Sequence, residues 1–186
     1  MFDQRERRAV LDRAAGARDA SGLFGGVSAR LRRLVGFQAA AWSATDPETG
    51  LITAPMRVEN LGSGDQCFTY WECAILEETV IPFRELARAA VPAAGLAAST
   101  GGLPARSAQY RKLLGRQGVG DELRAVLRAG GRPWGVVSLF RDKGRPRSIQ
   151  PRSPWSPTFP HRWATACANS PGPSGRRPPA GSRIPG

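Results

Sequence analysis

Two runs of alternating apolar and polar residues, joined by a pair of glycines, constrain the fold of this chain more than any other stretch. Apolar residues recur at every second position from Asp121 to Phe140, before and after Gly130-Gly131. A period of two indicates β-strands, and paired glycines supply the positive φ angles of a tight turn. Pro133 stands at the start of the second strand, where a missing N–H costs little. The sequence therefore predicts an antiparallel hairpin with one buried face.

The segments upstream of this hairpin predict further helices and strands. Leu23, Val27 and Leu31 recur at helical spacing, after a possible N-cap at Ser21 and before Gly36, so a helix is expected between them. Strands are expected at 37–44 and 51–58, joined by a turn at 46–50. More helices are expected at 65–78, 82–90 and 107–114, and a loop at 93–104. This order predicts an α+β fold in which helices pack on an antiparallel sheet.

The basic charge of the chain is unevenly distributed. The 186 residues carry a formal net charge of +12. Residues 146–186 hold six arginines, no acidic residue and ten of the sixteen prolines. This density of proline prevents regular structure, so a disordered tail is expected. An Arg-rich tail can bind nucleic acid non-specifically, whereas the mixed charges of the first 145 residues indicate an ordinary surface.

The tail also has a genetic interpretation. Because Trp has a single codon, Trp155-Ser156 and Trp163-Ala164 restrict what the other reading frames can encode. With G or C in the free third positions, a shifted frame starting at Arg147 can encode an amphipathic helix suited to cover a sheet. We therefore expect the tail to be a frameshift product whose ancestor continued the domain with a final helix. A natural basic linker is the alternative.

The sequence offers no catalytic or metal-binding constellation. Its single histidine, His161, lies in the tail, so a Ser-His-Asp or Cys-His arrangement cannot be built from the rest of the chain. Cys67 and Cys73 are six positions apart on a predicted helix and so point about 240° apart, which does not suit a shared metal. The acidic pair Asp121-Glu122 faces water by pattern. We expect no enzymatic activity, no metal and no cofactor.

Compartment and membrane contact follow from the same composition. An odd count of three cysteines, with no signal peptide, favours reduced thiols and a cytoplasmic protein. No apolar run reaches the roughly 20 residues of a membrane-spanning helix. We therefore expect no membrane partner.

Aromatic side chains supply the candidate ligand site. A pocket between the sheet and its helices could be lined by Trp42, Met56, Tyr70, Trp71 and Trp134. Core packing explains the same pattern, since aromatic residues at period two on a strand usually pack against a helix. Both interpretations stay open at this point.

Several stretches resemble GAF domains, which are small-molecule-sensing α+β modules. Residues 121–141, DELRAVLRAGGRPWGVVSLFR, resemble the closing hairpin of a GAF domain, in which the second strand enters with an apolar-Gly-Val pattern. The stretches 30–42, 46–61, 70–78, 82–89 and 105–128 resemble the N-terminal GAF-like sensor of actinobacterial LuxR-type helix-turn-helix regulators. The cyclic-nucleotide-binding pattern and an obvious chromophore cysteine are both missing from the sequence, so the ligand is unknown.

The resemblance implies a division of the chain and a role for it. It covers residues 21–146, a GAF-like sensor domain, and so leaves an N-terminal helical extension at 1–20 and the Pro/Arg-rich tail at 147–186. The expected role is non-catalytic signal input to a transcriptional regulator, by sensing a small-molecule effector or by forming a homodimer. No helix-turn-helix pattern follows Pro146. We therefore expect a truncated chain that would contact DNA only through a missing domain; the alternative is a nucleic-acid-binding protein that uses its basic tail.

Overall fold

The computed structural model describes residues 4–15, 20–61, 69–70, 72–73 and 80–145. The predicted tail, 147–186, lies outside these residues, and its disorder and frameshift origin stay predictions. Of the helix predicted at 65–78, only residues 69–70 and 72–73 are described, and they are helical. No helix within the described ranges is long and apolar enough to cross a membrane.

The described chain alternates helices with the strands of one sheet. Its α-helices are α1 (Gln4–Ala15), α2 (Ala20–Val35), α3 (Phe83–Leu86) and α4 (Leu96–Ser99). A 3₁₀ turn and a π-helical turn follow at Pro104–Arg106 and Tyr110–Leu114. The strands are β1 (Ala39–Thr45), β2 (Ile52–Glu59), β3 (Ala93–Gly95), β4 (Val119–Ala129) and β5 (Arg132–Asp142).

The five strands form one antiparallel sheet with β5 at its centre. Their order is β2-β1-β5-β4-β3. The predicted closing hairpin is confirmed as β4 and β5, and Gly130 and Gly131 make its turn with φ angles of 59° and 78°. The predicted first hairpin is confirmed as β1 and β2, and the carboxylate of Asp46 accepts hydrogen bonds from the backbone N–H of Thr49 at 2.7 Å and of Glu48 at 3.0 Å in its turn.

One face of the sheet packs on α2, as predicted, and we call it the α2 face. Leu23, Val27 and Leu31 project from α2 into the core at 2% exposure or less. Each such side chain contributes roughly 1.5–3 kcal/mol when it is fully buried. The helix ends at Gly36, whose φ is 66°. Arg141 of β5 donates from Nε to the carbonyl oxygen of Gly36 at 3.2 Å, so the last strand is tied to the end of this helix.

The opposite face of the sheet is also buried, and we call it the inner face. The prediction that the closing hairpin has a single buried face was therefore wrong. On β4 both Asp121 and Glu122, which were expected to face water, are no more than 4% exposed. The inner face is covered by apolar residues from the chain between β2 and β4, among them Ile81, Leu86, Leu96 and Leu114. The α+β architecture implied by the resemblance, an antiparallel sheet with helices packed on it, is confirmed.

The segment before β4 differs in part from its prediction. The expected loop at 93–104 instead contains β3, which pairs with β4, and the short helix α4. Small residues suit this position because β3 lies at the sheet edge with Ala93 and Gly95 buried. The helix predicted at 82–90 starts after Pro82 as expected but ends at Leu86. The helix predicted at 107–114 is found as the shorter π-helical turn Tyr110–Leu114, and the predicted cap is present, since the hydroxyl of Ser107 accepts a hydrogen bond from the backbone N–H of Tyr110 at 3.3 Å.

Candidate functional site

Polar side chains meet at the centre of the inner face because of strand register. Successive residues of a strand point to opposite faces, so Leu123 and Ala125 contact the α2 face while Glu122 and Arg124 point inward. Arg124 pairs with Ser138 of β5, which pairs in turn with Ala41 of β1. Three neighbouring strands therefore bring polar and small side chains into one buried area. We call Glu122, Arg124, Ser138, Tyr70 and Gln109 the inner-face cluster.

Arg124 is the centre of this cluster. Its side chain is 2% exposed, and its Nε donates to Oε1 of Glu122 at 2.8 Å. Its Nη1 donates to the carbonyl oxygen of Ile81 at 3.0 Å, and its Nη2 donates to Oε1 of Gln109. The guanidinium lies 5.1 Å from the ring centroid of Phe83, within cation-π range. The charge of Arg124 is thus held by contacts on several sides.

Tyr70, which precedes β3 in the chain, places its hydroxyl against Glu122 and Ser138. The hydroxyls of Tyr70 and Ser138 share a hydrogen bond of 2.7 Å, and the Tyr70 hydroxyl lies 3.4 Å from Oε1 of Glu122. The ring of Tyr70 stands edge-on to Phe140 with centroids 5.8 Å apart. A phenol oxygen therefore fills the space above Glu122 and Ser138.

Burial governs the ionisation of these groups. Burial, together with the charge of Glu122, raises the pKa of Tyr70 far above its usual range. Burial by itself would lower the pKa of Arg124, but Glu122 and Tyr70 favour the charged guanidinium, so the pKa of Arg124 is raised overall. Tyr70 is therefore a neutral donor and Arg124 a fixed cation at neutral pH.

Two buried polar atoms on the inner face matter most here, because neither has a hydrogen-bond partner among the residues that the structure describes. They are Nε2 of Gln109 and the hydroxyl oxygen of Ser43. Ser43 lies on β1 opposite Val136 of β5, and it is 0% exposed. A buried polar group without a partner costs roughly 1–3 kcal/mol, and such groups are few in native proteins. Both atoms are thus available to a ligand that reaches the inner face.

The structure separates the aromatic residues that were predicted to line one pocket. Tyr70 lies on the inner face, whereas Trp42 is fully buried on the α2 face with its ring 5.4 Å from that of Phe24. Trp134 also packs on the α2-face core, because the β4–β5 register skips this residue and so breaks the alternation. Trp71 and the side chain of Met56 lie outside the described residues. Of the five candidates, Tyr70 alone among those described contacts the inner-face cluster.

Sequence reasoning missed Glu122, Arg124 and Gln109 as site residues. The available signal was a pair of opposite charges two positions apart in the middle of a long strand that pairs on both sides. No group of three or more His, Cys, Asp or Glu side chains that could hold a metal ion occurs in the described part of the chain.

Comparison with known proteins gives remote structural similarities only. No protein-family model matches the chain, and no curated protein matches it. One solved structure that matches is the chromophore-binding domain of Stigmatella aurantiaca phytochrome P1, at 20% identity and a TM-score of 0.46, over 88% of this chain and 55% of that one. The Stigmatella aurantiaca phytochrome photosensory core module matches at 19% identity and a TM-score of 0.45, over 88% of this chain and 33% of that one.

A bacteriophytochrome from the photosynthetic bacterium R. palustris matches at 14% identity and a TM-score of 0.47, over 90% of this chain and 36% of that one. The chain thus spans between about a third and about half of the length of these structures. Similarities this distant do not assign a function to the chain.

Proposed function

We propose that this chain is a non-catalytic signal-input domain that binds a small molecule at the inner-face cluster. The observation that carries the proposal is the buried Glu122–Arg124 pair with two unsatisfied polar atoms, on Gln109 and Ser43, on the same sheet face. The ligand accepts hydrogen bonds from these atoms, and its apolar part contacts the surrounding core residues.

Energetics favour a binding role over a purely structural one for this cluster. A buried ion pair is often no more stabilising than well-packed apolar side chains of the same volume. The unpaired atoms of Gln109 and Ser43 lower stability further. Perturbed ionisable groups and unsatisfied polar atoms of this kind gather at functional sites, where binding offsets their cost.

Tyr70 controls access to the cluster in this proposal. Its hydroxyl contacts Ser138 and Glu122, so it fills the position that a polar ligand group would take. A ligand therefore binds by displacing the side chain of Tyr70, and this displacement is the primary conformational change.

We propose that the signal from this domain controls transcription and that the protein acts in the cytoplasm. The resemblance of residues 21–146 to the sensor of LuxR-type regulators suggests this role. DNA would be contacted by a separate helix-turn-helix module, and homodimerisation would be part of the same signalling. Arg141 offers a route for the signal, because it follows Ser138 by three residues on β5 and bonds the end of α2.

A thermal-shift screen of the purified chain against cellular metabolites, followed by calorimetry on each hit, tests the proposal. Replacing Ser43→Ala removes one unsatisfied donor, and Ser99→Ala is the matched control on the exposed surface of α4. We expect Ser43→Ala to lower the affinity for the ligand by roughly 3- to 10-fold and Ser99→Ala to leave the affinity unchanged. Equal affinity in both variants would place the ligand elsewhere and refute the proposal.

Nucleic-acid binding through the basic tail is the second candidate function. The charge of residues 146–186, with six arginines and no acidic residue, favours it. This function predicts sequence-independent binding that weakens steeply with salt. Binding that survives deletion of residues 147–186 would exclude the tail as its cause.

A further inference from the structure

A second polar site lies in a groove at the end of the closing hairpin, apart from the inner-face cluster. The groove has a volume of about 270 Å³, and its lining includes Pro104, Tyr110, Asp121 and residues 141–145. Ligand pockets for drug-sized molecules begin at about 300 Å³. This groove therefore fits a smaller, metabolite-sized molecule.

A β-bulge shapes the groove. The register of β4 and β5 skips Gly120, between the pairs Val119–Asp142 and Asp121–Arg141. A Cβ atom at Gly120 would lie only 3.0 Å from Cα of Lys143, so a side chain at this position would crowd the backbone of the neighbouring strand. Bulges of this kind redirect neighbouring side chains and recur beside functional sites.

The groove has an acidic floor. Asp121 is 4% exposed, and its Oδ1 accepts hydrogen bonds from the backbone N–H of Ala97 and of Glu122, both at 2.9 Å. These bonds leave Oδ2 without a donor among the residues that the structure describes. Burial raises the pKa of Asp121 even though two backbone N–H donors and the nearby charge of Arg141 act in the opposite direction, so these neighbours do not fully compensate the carboxylate. An ammonium group on the floor would compensate this charge.

The mouth of the groove is cationic. Lys143 and Arg145 are both exposed there, against the single carboxylate of Asp142. The Nζ atom of Lys143 donates to the carbonyl oxygen of Gly115 at 2.5 Å, whereas no ion pair of Arg145 occurs in the described ranges. Arg141, the third cation of the lining, is held by carbonyl oxygens at the end of α2. Arg145 is thus the cation best placed to bind an anionic group.

We infer that this groove binds a small zwitterion, a primary amine that also carries a carboxylate. The ammonium lies against Asp121, the carboxylate against Arg145, and the carbon chain along Tyr110 and Pro104. Neither charge of such a ligand stays unpaired, whereas a simple amine or a simple carboxylate would satisfy one end of the groove only.

The probes for the test are γ-aminobutyrate, butyrate and butylamine, which share one carbon chain and differ in their charged ends. Each is titrated into the ¹⁵N-labelled full chain while the backbone amides of Gly120 and Gly144 are followed by NMR. We expect γ-aminobutyrate to shift both amides and to bind at least about tenfold more tightly than either single-charge probe.

Two variants assign the ends of the ligand. Asp121→Asn keeps an acceptor for the two backbone N–H groups and should lower the affinity for γ-aminobutyrate and butylamine by roughly tenfold. Arg145→Gln should lower the affinity for γ-aminobutyrate and butyrate. Arg116→Gln, at an exposed arginine outside the lining, should change none of them. The inference fails if Gly120 and Gly144 do not respond, if the single-charge probes bind equally well, or if Arg145→Gln has no effect. Since Arg145 is exposed, its variant should fold even if Asp121→Asn does not.

Discussion

The guanidinium of Arg124 donates to the carboxylate of Glu122 at 2.8 Å, and both side chains are only 2% exposed. The two residues stand on one strand, so the pair does not cross-link the fold. Instead it places a balanced pair of charges under the segment that covers the sheet. A ligand that reaches the inner face would therefore meet both charges, and the proposed binding role depends on this geometry.

Breaking this pair should destabilise the protein strongly. Arg124→Met leaves the Glu122 carboxylate buried without its cation, which typically costs about 3–5 kcal/mol. The double variant Glu122→Leu/Arg124→Met should recover most of that loss, because it leaves no charge of the pair behind. Urea denaturation of wild type and both variants measures the difference, with Arg88→Met as an exposed control. A double variant as unstable as Arg124→Met would show that the pair itself stabilises the fold.

Ser43→Ala should not lower stability, although it alters a fully buried residue. The hydroxyl it removes has no hydrogen-bond partner in the part of the chain that the structure describes, and such a group costs roughly 1–3 kcal/mol in the folded state. We expect an unchanged or higher melting temperature in differential scanning calorimetry, together with the loss of ligand affinity described above. A clear drop in melting temperature would mean that the hydroxyl is bonded in solution.

Tyr70 should make stability fall at alkaline pH. Its folded-state pKa is raised well above the usual value of 10.0. Above about pH 10 the unfolded chain releases this proton while the folded chain keeps it, so the folded state is disfavoured progressively as pH rises. Tyr70→Phe removes this contribution and should flatten the decline between pH 9 and pH 11, roughly the span around the usual Tyr pKa, in urea denaturation. An equally steep decline in the variant would assign it to other groups.

The β4–β5 turn should depend on the positive φ of Gly131. Its φ is 78°, and nothing lies within 4 Å of the position of an added Cβ atom. Gly131→Ala should therefore cost about 1–2 kcal/mol through backbone strain and not through a clash. Gly131→Asn should cost less, because Asn tolerates this conformation better. Equal losses in the two variants, measured by urea denaturation, would argue against strain as the cause.

The hairpins and α2 were predictable because their signals are local. Alternation, Gly130-Gly131 and the spacing of Leu23, Val27 and Leu31 act within one element. The burial of Glu122 and Arg124 was not predictable in this way, since it depends on partners such as Gln109 and Ile81 that are distant in sequence. A strand that alternates charged with apolar residues has the same pattern whether water or protein covers its second face.

The candidate site shows the same limit. Tyr70 was predicted, but the grouping with Trp42 and Trp134 required both tryptophans to face the inner side. A bulge at Trp134 moves that side chain to the other face, and the sequence around Trp134 did not predict a bulge. The small strand β3 was missed because Ala93–Gly95 resembles a loop until it pairs with β4.

The most direct test of the proposed function is the side-chain amide signal of Gln109 in a ¹⁵N NMR titration with a ligand from the metabolite screen. Nε2 of Gln109 is buried on the inner face and has no hydrogen-bond partner among the described residues, so a ligand bound there must change its environment. We predict that this signal and the backbone amides of Ser43 and Ser138 shift together and saturate at one affinity. Ligand binding that leaves the Gln109 amide signal unchanged would contradict a site at the inner-face cluster.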